Sequence, residues 1–253
     1  MTSLVGILCT DGIVIGTDSS ATFSASTTPT IEQKTNKIEI IDERIILAGT
    51  GQVGIGQRFC DIIKTSNKEH VFDKPPIGVG KELSSRGIKD FQSTFIQSGQ
   101  YGALVAYISK GSFNLCEFAI ADFQPELKTK ESKLWFVSMG CGQFITDPFL
   151  GFMRRVFFKD RLPTVADATF VTSWTLQHVI ELNVGGINGP IQMAAIREKS
   201  KGQFVASMIT DDELSEHCGN VRAAETYLAA YREILSGSDS KEKIPELNQK
   251  ESS

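Results

Sequence analysis

The second residue of the chain has the chemistry of a nucleophile that carries its own base. Thr2 follows Met1 directly, and a residue this small lets methionine aminopeptidase remove Met1. The α-amine then freed has a reference pKa of roughly 8 and can accept the proton of the hydroxyl on the same residue. A terminal threonine of this kind predicts nucleophilic attack on a carbonyl carbon.

An acidic residue is predicted to lie beside Thr2. Residues 4–9 and 13–17 are short runs rich in Val and Ile, and the turn sequence between them contains Gly12, which is available for positive φ. These runs predict an antiparallel β-hairpin at the start of the chain. Thr2 begins its first strand and Asp18 ends its second, so both residues are expected at the same end of the hairpin.

The glycine-rich stretch over residues 49–56 is compatible with a second function. Its sequence GTGQVGIG satisfies the GxGxxG pattern, follows a predicted strand and precedes a predicted helix, and Asp73 stands at about the distance of a ribose-binding acid. That pattern would indicate a nucleotide-binding protein. Two hairpins precede the stretch, whereas the dinucleotide fingerprint normally opens a βαβ unit, and no alternating series of strands and helices follows.

The start of the chain resembles a known enzyme family. A terminal Thr, a hydrophobic strand, a DG turn, a second strand and the sequence DSSAT from Asp18 resemble the catalytic β-type subunits of the proteasome family, which includes the bacterial HslV peptidases. The resemblance extends over about residues 2–235 and is strongest in the first fifty. It implies an N-terminal nucleophile hydrolase without a cofactor, a threonine endopeptidase in which Thr2 forms an acyl-enzyme.

The resemblance also assigns roles to Lys37, Asp18 and Gly51. Lys37, at the start of a second predicted hairpin over residues 37–41 and 44–48, matches the lysine beside the nucleophile, a role that does not fall on Lys34 in the preceding loop. An ammonium there would keep the α-amine neutral by like-charge repulsion. Asp18 would fix the position of the Lys37 ammonium. Gly51 matches the donor of a backbone N–H to the oxyanion, with Gln52 in place of the family's second glycine.

Later stretches match the family with substitutions. The turn around Cys141 resembles a family turn whose serine contacts the terminal amine, and a thiol is a weaker hydrogen-bond partner than a hydroxyl. Glu181 matches an acid one methylene shorter, and Asn183 or Val184 occupies the position of a serine. Without the resemblance, these residues are an ordinary turn cysteine and an acidic helix end before a glycine.

Composition limits the function classes. The chain has 253 residues with 41% hydrophobic content and a net charge of −4, so no basic surplus indicates nucleic acid or a membrane surface. No apolar run approaches a transmembrane length, and the first residues do not have the pattern expected of a signal peptide. Five scattered cysteines and three isolated histidines predict reduced thiols and no metal site, as expected of a cytoplasmic protein.

The order of predicted elements indicates an α+β fold. Beyond the two hairpins we expect helices over residues 54–67, 77–98, 164–183 and 211–235, and strands over residues 102–108, 113–121, 134–139, 191–197 and 204–209. Segregated runs of strands and helices favour antiparallel sheets covered by helices, and the resemblance implies a four-layer αββα sandwich. Residues 1–235 are expected to form one domain, followed by a polar, disordered tail over 236–253.

Three hypotheses follow from the sequence. The first is a threonine peptidase assembled into a homo-oligomeric ring or stacked rings that degrades peptides or unfolded proteins, with or without an ATPase unfoldase. The second is an inactive structural subunit of the same family, in which Met1 is retained or the substitutions at the site have abolished turnover. The third is a nucleotide-binding protein that uses the glycine-rich stretch.

Overall fold

The computed structural model describes residues 1–25, 28–97, 99–129, 131, 135–159, 161–182 and 185–236. The strands in these ranges are β1 (Ser3–Leu8), β2 (Gly12–Thr17), β3 (Ser20–Ala25), β4 (Thr28–Lys34), β5 (Ile38–Ile41), β6 (Ile45–Gly51), β7 (Tyr101–Ser109), β8 (Ser112–Phe118), β9 (Pro125–Lys128), β10 (Phe136–Gly140), β11 (Gln192–Ser200) and β12 (Gln203–Met208). The α-helices are α1 (Val53–Lys68), α2 (Pro76–Ser93), α3 (Gln143–Met153), α4 (Val165–Glu181) and α5 (Asp211–Leu235).

Two five-stranded antiparallel sheets form the centre of the molecule. The first has the strand order β10-β1-β2-β11-β12, and the second has the order β5-β6-β7-β8-β9. Strands β3 and β4 pair with each other as a separate ribbon. Helices α1 and α2 cover the second sheet, and α3, α4 and α5 lie on the side of the first. The expected α+β sandwich of four layers, αββα, is confirmed.

Alternating side chains hold these layers together. On β6, Ile46 and Ala48 belong to the core between the sheets, whereas Ile45 and Leu47 belong to the core under α1 and α2. The sheets pack closely at Gly6 on β1, where a Cβ atom would lie 2.9 Å from the Leu104 side chain. Both faces of the central strands β1, β2 and β7 are therefore buried.

The predicted hairpin at the start of the chain is confirmed. Leu4 pairs with Thr17 across β1 and β2, and the Asp18 N–H donates to the Ser3 carbonyl at 3.3 Å. Gly12 does not adopt the positive φ for which it is available. It is required by close packing instead, because a Cβ atom would lie 2.3 Å from the Ile196 carbonyl oxygen.

The polar run after Asp18 is not the ordered loop that its Ser, Thr and Pro content predicts. It forms the β3–β4 ribbon, in which Ser20 pairs with Lys34 and Phe23 with Ile31. The run contains several β-branched threonines, which favour extended backbone. The ribbon therefore connects the two sheets directly beside the Asp18 end of the hairpin.

Several element bounds differ from the prediction. Helix α2 ends at Ser93 rather than at residue 98, because Phe95 adopts a φ of +58° that helical backbone does not allow. Helix α3, the π-helical segment Arg154–Phe158 that continues it, and β9 were not predicted. Pro148 lies within α3 and obscured its helical pattern.

The surroundings of the glycine-rich stretch are wrong for a dinucleotide site. Gly51 ends β6 and Val53 begins α1, but the next strand of the sheet, β7, runs antiparallel to β6. A βαβ unit requires a parallel pair. The structure therefore does not provide the crossover that the nucleotide-binding hypothesis needs.

The sequence predicted no transmembrane segment and a disordered tail at the end of the chain. Among the described helices, none is both long enough and apolar enough to cross a lipid bilayer. The tail expected to be disordered lies outside the described residues from position 237 onward.

Candidate active site

The structure brings Thr2, Asp18 and Lys37 together at the expected end of the first hairpin. The Lys37 ammonium lies 2.8 Å from Asp18 Oδ1 and donates to Thr2 Oγ1 at 3.3 Å. Thr2 immediately precedes β1, Asp18 follows β2, and Lys37 precedes β5 of the other sheet. A single cation thus joins a carboxylate to the hydroxyl that could act as a nucleophile.

Asp18 is fixed by the backbone around it. Its side chain is 0% exposed, Oδ1 accepts from the Ser3 N–H at 2.9 Å, and Oδ2 accepts from the Ser20 N–H at 3.0 Å. The second bond is an Asx-type contact with a residue two positions later. These two donors and the ammonium together satisfy a carboxylate that would otherwise be costly to bury.

Lys37 is positioned by residues distant in sequence. Its backbone N–H donates to Gln192 Oε1 at 3.0 Å, and the Gln192 amide in turn donates to the Thr35 carbonyl at 2.7 Å. Its ammonium also donates to the Met1 carbonyl at 2.9 Å. The ammonium therefore contacts both of the first two residues of the chain.

The environment of Lys37 disfavours its charged form on balance. Burial lowers the pKa of the ammonium from its ordinary value, and the nearby Asp18 carboxylate opposes that shift. The side chain is 9% exposed, so water screens the pair weakly. This ammonium is therefore closer to neutrality than a surface lysine.

Lys37 should make the free energy of unfolding increase with pH in the alkaline range. Between the lowered pKa in the folded protein and the ordinary value near 10.5, the unfolded chain binds the extra proton, so stability rises by at most about 1.4 kcal/mol per pH unit. We expect the wild-type protein to gain stability relative to Lys37→Met across this window, measured by urea unfolding. A difference that stays flat or falls with pH would contradict the prediction.

The turn after β10 holds the backbone of Thr2. The Gly142 N–H donates to the Thr2 carbonyl at 3.4 Å, and the Thr2 N–H donates to Cys141 Sγ at 3.4 Å. Gly140 adopts a φ of +93°, and a Cβ atom there would lie 2.2 Å from the Thr2 carbonyl oxygen. Cys141 therefore does contact the nitrogen of Thr2, through sulfur.

Gly51 lies at the end of β6 on the wall of the same cleft. Its φ of +116° lies in the region that favours glycine, and a Cβ atom would lie 2.2 Å from the Gln100 carbonyl oxygen. The neighbouring Gln52 N–H already donates to that carbonyl at 3.0 Å. The Gln52 N–H is therefore already engaged in a hydrogen bond within the chain.

A cleft of about 700 Å³ opens in front of these residues. Thr2 and Lys37 belong to its lining, together with residues of strand β6 and of the first turns of α1. A volume of this size suits an extended peptide segment or a similarly sized ligand.

Two sequence-predicted supporting residues are not seen at this cluster. The Glu181 carboxylate is exposed at the end of α4 and accepts from the Gln177 amide at 2.8 Å, the hydrogen bond that the described residues give it. Asn183 and Val184 lie outside the described residues. The chain nonetheless returns to the N-terminus just after them, since a Cβ atom on Gly185 would lie 2.9 Å from the Met1 side chain.

Three contributors to the site were not predicted. Ser20 carries a detectable signal, because an Asp followed two residues later by a serine is typical of an Asx turn. Gln192 has no such signal, as it lies 155 residues from Lys37 in sequence. Tyr101, which lines the cleft, is also distant, and its placement depends on the pairing of β6 with β7.

Within the part of the chain that the structure describes, no group of His, Cys, Asp and Glu side chains is arranged to hold a metal ion. The chemistry available at the cleft is that of a hydroxyl, an ammonium, a carboxylate and backbone donors. This set suits nucleophilic attack on a carbonyl and stabilisation of the resulting oxyanion.

Comparisons with known proteins identify relatives of one kind. The family model described as "Proteasome subunit" matches residues 2–151. The chain is 25% identical over 113 residues to proteasome subunit beta 1 of Thermococcus kodakarensis, covering 45% of this chain and 52% of that protein. It is 26% identical over 113 residues to a proteasome subunit beta of Methanosarcina barkeri, covering 44% and 48%. The chain thus spans about half the length of these curated relatives.

Proposed function

The chain belongs to the proteasome subunit family, and from that premise we propose that it is a threonine-type endopeptidase with Thr2 as its nucleophile. The observation that carries the proposal is the Lys37 ammonium, which lies 2.8 Å from Asp18 and 3.3 Å from the Thr2 hydroxyl. A cation between a buried carboxylate and a hydroxyl stabilises the alkoxide that develops as the hydroxyl loses its proton.

The proposed reaction begins with removal of Met1. The freed α-amine of Thr2 takes the hydroxyl proton, directly or through a water, while Oγ1 attacks the carbonyl carbon of the scissile peptide bond. The Lys37 ammonium repels a proton on that amine and keeps it available as a base. The amine of the leaving peptide receives the proton, and an acyl-enzyme ester remains on Thr2. Water then attacks the ester and releases the second product.

Gly51 is the proposed donor to the oxyanion of both tetrahedral intermediates. Its position at the end of β6, on the cleft that Thr2 lines, supports this role. The hydrogen bond that already occupies the Gln52 N–H argues against the adjacent residue. A backbone donor needs no reorganisation when charge develops, so it lowers the barrier efficiently.

We also propose that residues 1–235 act as one catalytic domain within a cytoplasmic homo-oligomer, a ring or stacked rings, that takes peptides or unfolded proteins. Exposed apolar side chains on the helices of the first sheet support assembly. Phe144 on α3 is 91% exposed, and Leu228 and Tyr231 on α5 are more than half exposed. Exposed apolar surface of this kind is typical of protein interfaces. An ATPase unfoldase is a further partner consistent with a confined site.

An inactive structural subunit is the second candidate. The observation that favours it is Cys141, whose thiol is the hydrogen-bond partner of the Thr2 nitrogen. Sulfur positions an amine less firmly than a hydroxyl does. Retention of Met1 would have the same result, because an acylated nitrogen cannot act as the base.

Covalent labelling tests the proposed nucleophile. The purified protein is treated with a peptide epoxyketone, and the adduct is located by mass mapping, with intact mass first showing whether Met1 is absent. We expect one adduct on Thr2. The Cys141→Ser variant is the matched control, because it removes the exposed thiol nearest to the site and should keep the adduct. An adduct that maps to Cys141 and disappears in the variant would overturn the proposal.

A further inference from the structure

Helix α5 carries a heptad pattern along its length. Residues that can form one seam recur at alternating intervals of three and four from Leu214 to Leu235. In heptad notation the a positions are Leu214, Val221, Leu228 and Leu235, and the d positions are His217, Ala224 and Tyr231. This spacing places these side chains on one stripe of the helix, and an apolar stripe is stabilised when another surface covers it.

The chain covers only the first half of this stripe with its own core. Val221 is fully buried, and Ala224 packs against the core on the side of the first sheet. Beyond Ala224 the stripe is open, and we call its three residues the open seam: Leu228 is 58% exposed, Tyr231 57% and Leu235 69%. Among the residues that the structure describes, none covers the open seam. The second half of α5 therefore extends the stripe past the elements that bury its first half.

The two flanks of the open seam are self-complementary. Glu225 and Arg232 occupy successive e positions on one flank, and both are exposed. Tyr227, which is half-buried, and Ile234, which is exposed, occupy the g positions on the other flank. In an antiparallel pair of helices, e positions face e positions and g positions face g positions. A second, antiparallel copy of α5 would therefore place Glu225 opposite Arg232 twice and Tyr227 opposite Ile234 twice.

Both charges are available for such a contact. Glu225 accepts from the Trp174 indole N–H through Oε1 at 2.8 Å, and no described hydrogen bond uses its Oε2. Arg232 forms no ion pair with the residues that the structure describes. In a parallel pair, e positions face g positions, so Arg232 would lie against Tyr227 instead of Glu225. The charge pattern therefore favours the antiparallel arrangement.

We propose that two copies of this chain associate through the open seam, with their α5 helices antiparallel about a two-fold axis. Leu228 of each copy packs against Tyr231 of the other, and Leu235 of each packs against Ala224 of the other. The buried halves of the two helices lie at the outer ends of the pair, so neither core competes for the seam. This inference adds one defined contact to the homo-oligomer of the proposed function and does not depend on the chemistry at Thr2.

Sedimentation equilibrium of the full-length chain tests the open seam. At the upper end of the micromolar range, we expect the weight-average mass of the wild-type protein to reach at least twice the mass of one chain. Leu228→Glu should lower that mass to half the wild-type value or less, because it would bury two carboxylates in the seam without partners. Leu228 is exposed in the single chain, so the variant should keep the wild-type circular dichroism spectrum. Thr226→Glu adds the same charge to the opposite, exposed face of α5 and should leave the mass unchanged.

A double-mutant comparison tests the antiparallel orientation. Arg232→Glu places a carboxylate opposite Glu225 of the other copy twice, and it should raise the midpoint concentration of association about tenfold. Glu225→Gln removes the opposing charge and keeps an oxygen that can accept from Trp174. In the Glu225→Gln background, Arg232→Glu should therefore raise the midpoint by about threefold or less. Arg232→Lys keeps the charge and should associate like the wild-type protein.

Each result decides a separate claim. A wild-type protein that stays monomeric throughout the micromolar range overturns both this contact and the proposed homo-oligomer. An oligomer whose mass Leu228→Glu does not change, or that Thr226→Glu disrupts equally, overturns this contact alone and leaves assembly through other surfaces. Equal effects of Arg232→Glu with and without the Glu225 charge overturn the antiparallel arrangement. Labelling of Thr2 reports on the peptidase by itself, so the catalytic proposal and this one can fail independently.

Discussion

Replacing Thr2 by alanine is expected to lower kcat/KM for a fluorogenic peptide by about 10,000-fold or more. Alanine is also small enough to allow removal of Met1, so the variant keeps the free α-amine and loses the hydroxyl together with the γ-methyl group. The side chain is 8% exposed and accepts one described hydrogen bond, from Lys37 at 3.3 Å. Its loss should therefore change the fold little. Steady-state kinetics and the melting temperature together measure both effects.

Two variants make this result specific. Thr2→Ser keeps a hydroxyl at the same position and should retain a measurable part of the activity. Thr226→Ala removes a threonine hydroxyl that bonds within α5, and it should leave kcat/KM unchanged. Undiminished turnover in Thr2→Ala would exclude Thr2 as the nucleophile and move the assignment to another residue of the cleft.

Replacing Lys37 by alanine is expected to lower kcat/KM by about 100-fold to 10,000-fold, the range of a lost acid–base or charge contribution. Lys37→Arg should not restore activity, since a planar guanidinium cannot reach both Asp18 Oδ1 and Thr2 Oγ1 with the geometry of one ammonium. Lys34→Ala is the matched control, because Lys34 is an exposed lysine three residues earlier. It should have wild-type kinetics.

Loss of folding has to be separated from loss of chemistry in this variant. Without Lys37, the fully buried Asp18 carboxylate keeps its two backbone donors and the Thr17 hydroxyl at 3.5 Å, and breaking a buried pair costs on the order of 3–5 kcal/mol. Adding Asp18→Asn to Lys37→Met removes both charges and should restore much of the stability without restoring activity. If activity returns with stability, Lys37 acts only in the fold and the proposed role is wrong.

The parts of the fold that local sequence specifies were predictable. The first hairpin needs only two apolar runs and a short turn, so the meeting of Thr2 with Asp18 followed from counting residues. The β3–β4 ribbon was missed because its Ser and Thr residues favour turns and strands alike. The end of α2 was missed because it is set by the positive φ of Phe95, which no pattern of apolar residues reveals.

Some residues of the site could likewise be predicted from the sequence, and others could not. Lys37 could be placed beside Thr2 because the family resemblance indicates a lysine next to the nucleophile. The residues alone indicated only a lysine at the start of a strand. Gln192 reaches the Lys37 backbone through the pairing of β11 with β2, and Tyr101 reaches the cleft through the pairing of β7 with β6. Sequence periodicity does not encode these contacts. Glu181 stays a prediction: its position along the chain matches the acid of the family, and the hydrogen bond described for its carboxylate comes from the Gln177 amide of α4.

The reacting groups are divided between the two sheets, and this division has a mechanical consequence. Thr2 and Asp18 move with the first sheet, whereas Lys37 and Gly51 move with the second. A slide of one sheet relative to the other by a fraction of a bond length would change the distances from the Lys37 ammonium to Asp18 Oδ1 and to Thr2 Oγ1. This change would not require the chain to unfold. The close packing of the sheets at Gly6, where a Cβ atom would lie 2.9 Å from the Leu104 side chain, therefore opposes such a slide, since close-packed interiors have low compressibility.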